Sequence, residues 1–484
     1  MKSLPISEGE TGLQRGLGKT QIVMIGLGGA IGTGLFMGSG LAIGYAGPAV
    51  ILSYVLAGFV ALVMVFSLSE MAVVHPTAGS FGVYAETYLN PWAGFVVRYT
   101  YWIAQVIAIG GEAVAAGLYM QLWFPGVPVW LWALGFCLVL LYLNSRSVNN
   151  FGTAESWFAL IKVTAIVLFI ILGTASIFDR GHTADALRNL TGLPGGFFPK
   201  GLAGMWMGVI VGIFSFNGIE VIAVTSGEAR DPRTAIPAAL RSMLLRLFLF
   251  YVLAVTLIVT TTPWTATGVK VVAQSPFVSV FQHSGIAHAA GVMNFVVISA
   301  ALSSMNTNIY LCSRMLFSLS RGHYAPRRLG SLSDRGTPLA AVLSSGACIL
   351  VAAGVSIFTP NAYGYLLGVA LFGAILVWIC ILVSHLSFRR RHRASELPVR
   401  TPLFPWMQYA GLLMLAAILV TMGFDPNLYV SWVYGIPWLV LISAGYFLWR
   451  ARRQAAVEPV PPARQRAPRE RPEPGGRVEG EERV

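Results

Sequence analysis

The sequence predicts an all-α polytopic membrane protein with twelve transmembrane helices. Its 484 residues are 56% hydrophobic and only 11% charged, and their mean hydropathy is +0.68. Average soluble domains carry about 25% charged residues, so this composition is too apolar to cover a water-facing surface. Apolar runs of about 20 residues, bounded by charge, Pro or Gly, recur along the chain and mark the spans.

The spans follow one another with short connections. We place them at residues 21–43, 48–73, 94–123, 129–143, 155–178, 201–225, 241–262, 291–320, 338–359, 363–388, 405–424 and 430–449. An even number of spans puts both chain ends on the same side of the membrane.

The placement of basic residues predicts which side that is. The chain holds 33 Lys and Arg against 20 Asp and Glu, a net charge of +13. Only Arg180, Arg188, Lys200 and Lys270 fall on the far side of the spans, and Lys162 falls within one. Because basic residues accumulate on the cytoplasmic side, we expect a multi-pass protein of the inner (cytoplasmic) cell membrane with both termini cytoplasmic. The charge therefore orients the protein in its lipid bilayer and gives no reason to invoke nucleic acid.

Two spans are interrupted at corresponding positions of the chain. The first contains the glycine-rich residues 25–36, and the sixth contains residues 214–220, where Ser, Asn, Gly and Glu interrupt the apolar run. The third spans of the two sets of five, 94–123 and 291–320, are both unusually long. Interrupted helices at matching positions of two sets, the second set starting from the opposite side of the membrane, indicate an inverted-repeat transporter with its site at the midplane.

This repeat divides the chain into five parts. They are a cytoplasmic N-terminal arm (1–20), a first five-helix repeat (21–178), a second, inverted five-helix repeat (201–388), helices 11 and 12 (405–450) and a cytoplasmic tail (451–484). The tail holds Pro, Arg and Glu but no aromatic residue, so it cannot bury enough apolar surface to fold, and we expect it to be disordered.

The interruption of the first span predicts a binding site for a zwitterion. Its candidate residues are Ala30, Ile31, Gly32, Thr33 and Gly34. Lipid offers no hydrogen-bond partner, so a helix breaks only against protein, a cavity or a ligand. Free N–H groups of the second half-helix suit a carboxylate, and free carbonyls of the first half suit an ammonium group. The alternative is a packing face, because the glycines also have small-xxx-small spacing.

The sixth span offers the matching half of this site. Its candidate residues are Phe214, Ser215, Phe216, Asn217 and Glu220. A carboxylate at this depth costs several kcal/mol unless it finds partners, so we expect Glu220 to face the interior of the bundle. There it would cap the second half-helix, bind a proton, gate the site or have a purely structural role. The two Phe side chains would close over a ligand or simply pack.

Two further ionisable residues lie within spans. Glu112 stands among small residues of the third span, at a helix interface or a pathway, where substrate contact, proton binding and a structural pair all remain open. Lys162 lies about 10 Å along the fifth span from its cytoplasmic end. It would carry a proton through a transport cycle, or replace a sodium ion by linking its helix to carbonyls of the first span. The alternative is a side chain that snorkels to the interface.

Catalytic, cofactor and metal motifs do not emerge from the sequence. Gly32, Thr33 and Gly34 look like part of a dinucleotide loop, but no strand precedes them. The cysteines lie within spans without metal-ligand spacing; they are Cys137, Cys312, Cys348 and Cys380. We therefore expect neither an enzyme, nor a cofactor, nor a metal site.

Several segments resemble the bacterial amino acid transporter (AAT) family of the amino acid–polyamine–organocation (APC) superfamily. They are residues 29–36, 69–71, 157–163, 214–220, 227–232 and 313–316, and the likeness covers about residues 13–450. The resemblance implies a leucine-transporter-type 5+5 inverted repeat with broken helices 1 and 6, and amino acid uptake by proton symport.

The resemblance also implies roles for single residues. Residues 30–34 would hold the substrate carboxylate, the carbonyls of residues 214–216 its amine, and Lys162 would stand in place of a sodium site. Glu112 matches an acidic position implicated in substrate recognition or coupling, and Asn217 a position that varies among relatives, which makes it a candidate for selectivity.

The leading hypothesis is a secondary active transporter that imports an α-amino acid together with a proton by alternating access. An amino acid exchanger is the first alternative. A sensor that binds amino acids without moving them is the second, and the sequence shows no large soluble domain that would favour it.

Overall fold

The computed structural model describes most of the chain. It covers residues 16–146, 148–179, 183–267, 276–278, 289–334, 336–359, 361–393, 395, 397–426 and 428–456. Throughout these ranges the regular structure is helical, and the only β-type pairing is an isolated bridge between Leu17 and Ala229. Most of the predicted N-terminal arm and of the predicted disordered tail lies outside the described residues.

Eighteen α-helices follow one another in the described ranges. They are α1 (Lys19–Ala30), α2 (Thr33–Phe36), α3 (Gly38–Ala46), α4 (Val50–Val74), α5 (Ser80–Tyr88), α6 (Pro91–Met120), α7 (Val129–Asn144), α8 (Val148–Asp179), α9 (Thr183–Leu187), α10 (Gly201–Ser215), α11 (Val221–Thr225), α12 (Pro232–Thr261), α13 (Trp264–Thr267), α14 (Ala289–Arg321), α15 (Leu339–Gly354), α16 (Ala362–Arg391), α17 (Trp406–Met422) and α18 (Val430–Ala456).

The helices confirm the predicted fold class. In the described residues, seven helical segments are long and apolar enough to cross a membrane, and four shorter apolar helices of 10–17 residues accompany them. The first predicted span is divided into α1, α2 and α3, and the sixth into α10 and α11. Both breaks therefore lie where the sequence predicts them.

Two local features differ from the predicted spans. Helix α12 begins at Pro232, well before the predicted span at residue 241, because proline is favoured in the first turn of a helix. Helix α5, which the hydropathy pattern does not predict, is only 9 residues long and buries one face of small and aromatic residues against α6 and α16. It is too short to be read as a membrane span.

The long helix α6 forms the centre of the bundle. It packs against α14 and α16, while α1 packs against α8, α12 and α14. Small residues allow these close approaches. A methyl group on Gly110 of α6 would lie 2.6 Å from the Cβ atom of Ala352, and one on Gly373 of α16 would lie 2.6 Å from that of Ala104. These small residues thus bring α6 into close contact with α15 and α16.

Buried ion pairs link the bundle at the end that carries the basic loops. Arg314 Nε of α14 donates to Oε1 of Glu228, which lies just after α11, at 2.8 Å. Both side chains are almost completely buried. Arg98 of α6 pairs with Glu86, a residue of the preceding helix α5 whose side chain is 32% exposed. His385 Nε2 of α16 lies 2.5 Å from Glu70 Oε2 of α4. The Arg314 and His385 pairs connect helices that are distant in sequence.

Removal of one partner of the Arg314–Glu228 pair should destabilise the protein strongly. Glu228→Ala leaves a buried guanidinium group without its carboxylate, a change that costs about 3–5 kcal/mol in soluble proteins. We expect a clear fall in the thermal midpoint of the purified protein in detergent. Arg327→Ala is the control, because Arg327 is exposed and surface changes stay within about 0.5 kcal/mol. Equal midpoints for the two variants would contradict the prediction.

Candidate functional site

The break in the first span is made by two residues. Helix α1 ends at Ala30, Ile31 has φ −87° and ψ 88°, and Gly32 is extended with φ −121° and ψ −157°. Helical geometry resumes at Thr33. Backbone groups on both sides of the break therefore lose their partners within the helix.

Side chains from other helices bond the carbonyls at the end of α1. Lys162 Nζ of α8 donates to Gly28 O at 2.5 Å and to Ile31 O at 2.7 Å. The Tyr251 hydroxyl of α12 donates to Ala30 O at 2.8 Å. In this conformation side chains of the protein therefore bond carbonyls that the sequence analysis offers to a substrate ammonium group, and the role of these carbonyls in substrate binding stays a prediction.

Lys162 is fully buried. Its ammonium group turns inward to α1 and does not snorkel to a membrane interface. The carboxyl groups of Glu155 and Glu112 both attract it, but no carboxylate oxygen in the described part of the chain lies within salt-bridge distance. Two backbone carbonyls thus take the place of a directly bonded counter-ion.

The break in the sixth span faces the first one. Helix α10 ends at Ser215 and α11 begins at Val221. Between them Gly218 has φ +93°, a conformation that favours glycine. A Cβ atom on Gly218 would lie 2.5 Å from Gly29 O, so only glycine lets the two breaks approach this closely.

A second contact joins the two breaks on the other side. The Ser215 hydroxyl donates to Gly34 O at 2.7 Å and itself lies 2.9 Å from the Tyr54 hydroxyl. A Cβ atom on Gly34 would lie 2.8 Å from the Cα atom of Ser215. The second half of span one and the first half of span six are therefore in backbone contact.

A small cavity of about 10 Å³, room for about one water molecule, lies between the breaks. It is lined by Gly29, Ala30, Gly32, Gly34, Ala108, Glu112, Phe214, Asn217, Ser304 and Asn308. Several buried polar atoms here lack a hydrogen-bond partner within the described ranges: Thr33 Oγ1, Glu112 Oε2, Asn217 Oδ1 and Asn308 Oδ1. Buried polar atoms in native proteins normally have partners, so this cluster indicates a site that a polar ligand completes.

Glu112 stands at the start of the second half-helix. Its carboxyl group interacts with the backbone of Thr33 and with the side chains of Ser304 and Asn308. The N-terminus of a half-helix attracts negative charge. In this conformation the carboxyl group of Glu112 therefore occupies the position at the start of the second half-helix that suits an anion.

Comparison with known proteins identifies the family of this chain. The family model for amino acid permeases matches residues 21–458. The chain belongs to the amino acid permease family. The earlier resemblance is confirmed, and the protein is a multi-pass membrane transporter and not an enzyme.

Relatives of the permease match it over nearly its whole length. The gamma-aminobutyric acid permease of Bacillus subtilis (strain 168) is 38% identical over 469 residues, which cover 94% of this chain and 98% of the relative. The aromatic amino acid transport protein AroP of Escherichia coli (strain K12) is 37% identical over 451 residues, or 92% and 97%. The uncharacterized amino acid permease YtnA of Bacillus subtilis (strain 168) is 38% identical over 442 residues, or 90% and 95%.

Six of the predicted substrate-site residues of the permease line the cavity. They are Ala30, Gly32, Gly34, Glu112, Phe214 and Asn217. The other five lie close by without lining it. Ile31 bonds Lys162 through its carbonyl, Ser215 bonds Gly34, and Thr33 begins α2 with its hydroxyl oxygen unpartnered in the described part of the chain.

The last two predicted residues lie behind the cavity. Phe216 packs on Tyr251, with ring centroids 4.8 Å apart. Glu220 is buried at the start of α11, where Gln105 Nε2 approaches one carboxyl oxygen at 3.4 Å. Both side chains shape the sixth-span break and do not face the cavity directly.

Four lining residues are missing from the predicted site: Gly29, Ala108, Ser304 and Asn308. Ser304 and Asn308 are four residues apart on α14, so they share one helix face, and this spacing within the polar part of the eighth span was the signal that could have found them. Glu155, fully buried near Lys162, was also missed. It lies at the very start of the predicted fifth span, where an acidic residue is ordinary.

A methyl group on Gly32 should damage the site without preventing membrane insertion. In Gly32→Ala the new Cβ atom would lie 2.6 Å from Glu112 Oε1 and 2.7 Å from Ser304 Oγ. Such overpacking costs about 1.4 kcal/mol, or about tenfold, and we expect amino acid uptake to fall by at least that factor.

The matched control is Gly38→Ala, in the same span. Its Cβ atom would meet nothing closer than 3.9 Å, so its uptake should stay near that of the wild type. Uptake is normalised to the amount of protein in the membrane. Equal activity of the two variants would contradict the assignment of the first break to the substrate site.

Proposed function

We propose that the permease imports a neutral α-amino acid together with a proton by alternating access. The observation that carries the proposal is the cavity between the two broken helices, where buried polar atoms lack partners within the described ranges. A buried lysine bonded to one of these breaks supplies a group that exchanges a proton.

The two ends of the substrate would bind at different breaks. Its carboxylate approaches the N–H groups of Gly32 to Gly34, at the positive end of the second half-helix. Its ammonium group turns toward the carbonyls of residues 214–216, because Lys162 and Tyr251 already bond those of the first break. The contact between the two breaks keeps these positions within the reach of one small molecule.

Glu112 links substrate binding to a proton in this scheme. Its carboxyl group interacts with the same half-helix start that the substrate carboxylate would approach. Two carboxylates at one site repel each other, so one of them is favoured in its neutral form. Glu112 therefore accepts a proton or turns away when substrate binds.

Lys162 provides the conformational part of the coupling. While it is charged, its two hydrogen bonds fasten the end of α1 to α8. A neutral amine would have fewer protons to donate and no charge to attract the carbonyls. Release of its proton thus loosens α1 from α8, a bistable contact of the kind that alternating access requires.

The lining of the cavity favours small substrates. Its volume of about 10 Å³ has room for about one water molecule, so the two breaks move apart before an amino acid enters. The amide groups of Asn217 and Asn308 and the hydroxyl group of Ser304 suit a side chain that is small and neutral or mildly polar. Gamma-aminobutyric acid and the aromatic amino acids, named for the relatives, belong in the first substrate panel beside alanine, serine and glycine.

The orientation proposed for the permease follows from its charges. Both termini lie in the cytoplasm of a cell with the protein in its inner membrane, because the basic loops lie on that side. The boundaries of the two repeats, 21–178 and 201–388, and of helices 11 and 12 at 405–450, remain part of this proposal.

Reconstitution in proteoliposomes tests the coupling. With an inward-directed proton gradient, we expect labelled amino acid to accumulate, and a proton ionophore should abolish the accumulation. Uptake into vesicles without internal amino acid distinguishes symport from exchange, since an exchanger needs a counter-substrate inside. Accumulation that survives the ionophore, or binding without uptake, would reject the proposal.

A lysine variant tests the coupling group. Lys162→Met keeps the length of the side chain but removes both hydrogen bonds to α1, so we expect accumulation driven by the proton gradient to be lost. Lys200→Met is the matched control, because Lys200 Nζ also bonds a carbonyl of the first span, Gly44 O at 2.8 Å, far from the break. Accumulation by the Lys162 variant at the level of this control would remove Lys162 from the mechanism.

A further inference from the structure

Glu155 is a fully buried carboxylate that the proposed transport scheme does not yet use. It lies on α8 about two helical turns before Lys162, and residues at this spacing share one helix face. Both side chains turn toward α1, where Lys162 bonds Gly28 O and Glu155 lies against the Cα atom of the same glycine.

Gly28 of α1 contacts both Lys162 and Glu155. A Cβ atom at this position would overlap Glu155 Oε1, so a larger residue would displace the carboxylate. The carbonyl of the same residue accepts a hydrogen bond from Lys162 Nζ at 2.5 Å. One glycine thus contacts the ammonium group on one side and the carboxylate on the other.

Hydrogen-bond donors surround Glu155. The Ser303 hydroxyl of α14 donates to Oε1, and Asn306 Nδ2 of the same helix donates to Oε2 at 3.0 Å. The orientation of the Asn306 amide is determined by Asn144 of α7, whose Nδ2 atom bonds both Asn306 Oδ1 at 2.7 Å and Leu140 O at 3.1 Å. The amide therefore presents its donor to Glu155.

This arrangement stabilises the charged form of the Glu155 carboxylate. Both oxygens face donors, and a protonated carboxyl group would have to donate in turn. Asn306 offers Glu155 no acceptor, because its oxygen is already bonded to Asn144. Charge-assisted bonds to both oxygens stabilise the ionised form.

Glu155 differs in this respect from Glu112. Glu112 lines the cavity and keeps Oε2 without a partner within the described ranges, so it is free to meet a substrate or a proton. Glu155 does not line the cavity and has both oxygens bonded. The charged groups around Lys162 in the described residues are these two, Glu155 from its own helix and Glu112 from α6, and only Glu155 is held in place.

We propose that Glu155 is the permanent counter-charge of Lys162, a positioning residue that stabilises the lysine against the break in α1 during the part of the cycle in which the lysine is charged. The proposal rests on the proposed function, in which the charged lysine fastens α1 to α8. A buried ammonium group is costly without an opposite charge, and the two carbonyls that Lys162 bonds carry only partial charges.

The network also determines which helix is free to move. Glu155 ties α8 to α14 through Ser303 and Asn306, and α14 to α7 through Asn144. At the break, α1 is held to α8 by the hydrogen bonds of Lys162. When that lysine loses its proton, α1 is released while α7, α8 and α14 stay connected.

A double-mutant cycle tests the charge pair directly. Glu155→Gln, Lys162→Met and the double variant are purified in detergent, and their thermal midpoints are compared. We expect each single variant to be less stable than the wild type because it leaves one buried charge unpaired. The double variant should be more stable than Glu155→Gln alone, since neutralising the lysine removes that unpaired charge. Additive losses would overturn the proposal.

Transport assays separate positioning from packing. Glu155→Asp keeps the charge, so we expect it to retain accumulation, whereas Glu155→Gln should lower accumulation by about tenfold or more. Ser299→Ala is the matched control on α14, because its hydroxyl bonds Val296 O within the helix and stays outside the network. If Glu155→Gln keeps the wild-type midpoint but loses only its dependence on the proton gradient, Glu155 carries the proton itself, and the proposal fails.

The two proposals fail in different ways. If the wild-type protein does not accumulate amino acid under a proton gradient, symport is refuted, but the double-mutant cycle of thermal midpoints still tests the charge pair. A wild-type protein that accumulates substrate while the cycle is additive refutes the role of Glu155 alone.

Discussion

A backbone carbonyl inside a bilayer must find a donor within the protein, because lipid supplies none. The break in the first span creates several such carbonyls within four residues. Lys162 bonds two of them and Tyr251 a third, and Ser215 bonds Gly34 O beyond the break. Three other helices, α8, α12 and α10, are therefore held around this one interruption, and the cavity lies between the two breaks, α6 and α14.

The glycines of both breaks serve this same requirement. Gly218 and Gly29 meet backbone to backbone, and so do Gly34 and Ser215. With side chains at these positions the half-helices would move apart, and the donors that now reach the carbonyls would no longer do so. The glycine content of the first span therefore reflects close approach, and a packing face and a broken helix, which stood as alternatives, turn out to be the same feature.

The fold was largely predictable because the bilayer imposes a length. The twelve spans follow from the apolar runs of the sequence, since a span needs about 20 residues. The two interruptions follow from the glycine and polar residues within them, since a helix in lipid breaks only where the exposed backbone finds partners. Glu112 and Lys162 stood out because ionisable residues are rare at that depth. Glu155 did not, because an acidic residue at the start of a span looks like part of the interface, and only the rotation of α8 against α1 and α14 shows that it is buried.

The finer parts of the site could be assigned only from the structure, because the sequence does not show which way each polar side chain faces. The polar residues of α14 are visible in the sequence, but Ser304 and Asn308 face the cavity while Ser303 and Asn306 face Glu155. One helix thus divides its polar groups between the cavity and Glu155. Under the proposed function this division matters, because a zwitterion brings no net charge to the cavity. The protonation of Glu112 and Lys162 can then change during transport while the charge on Glu155, held from the far side of α14, stays constant.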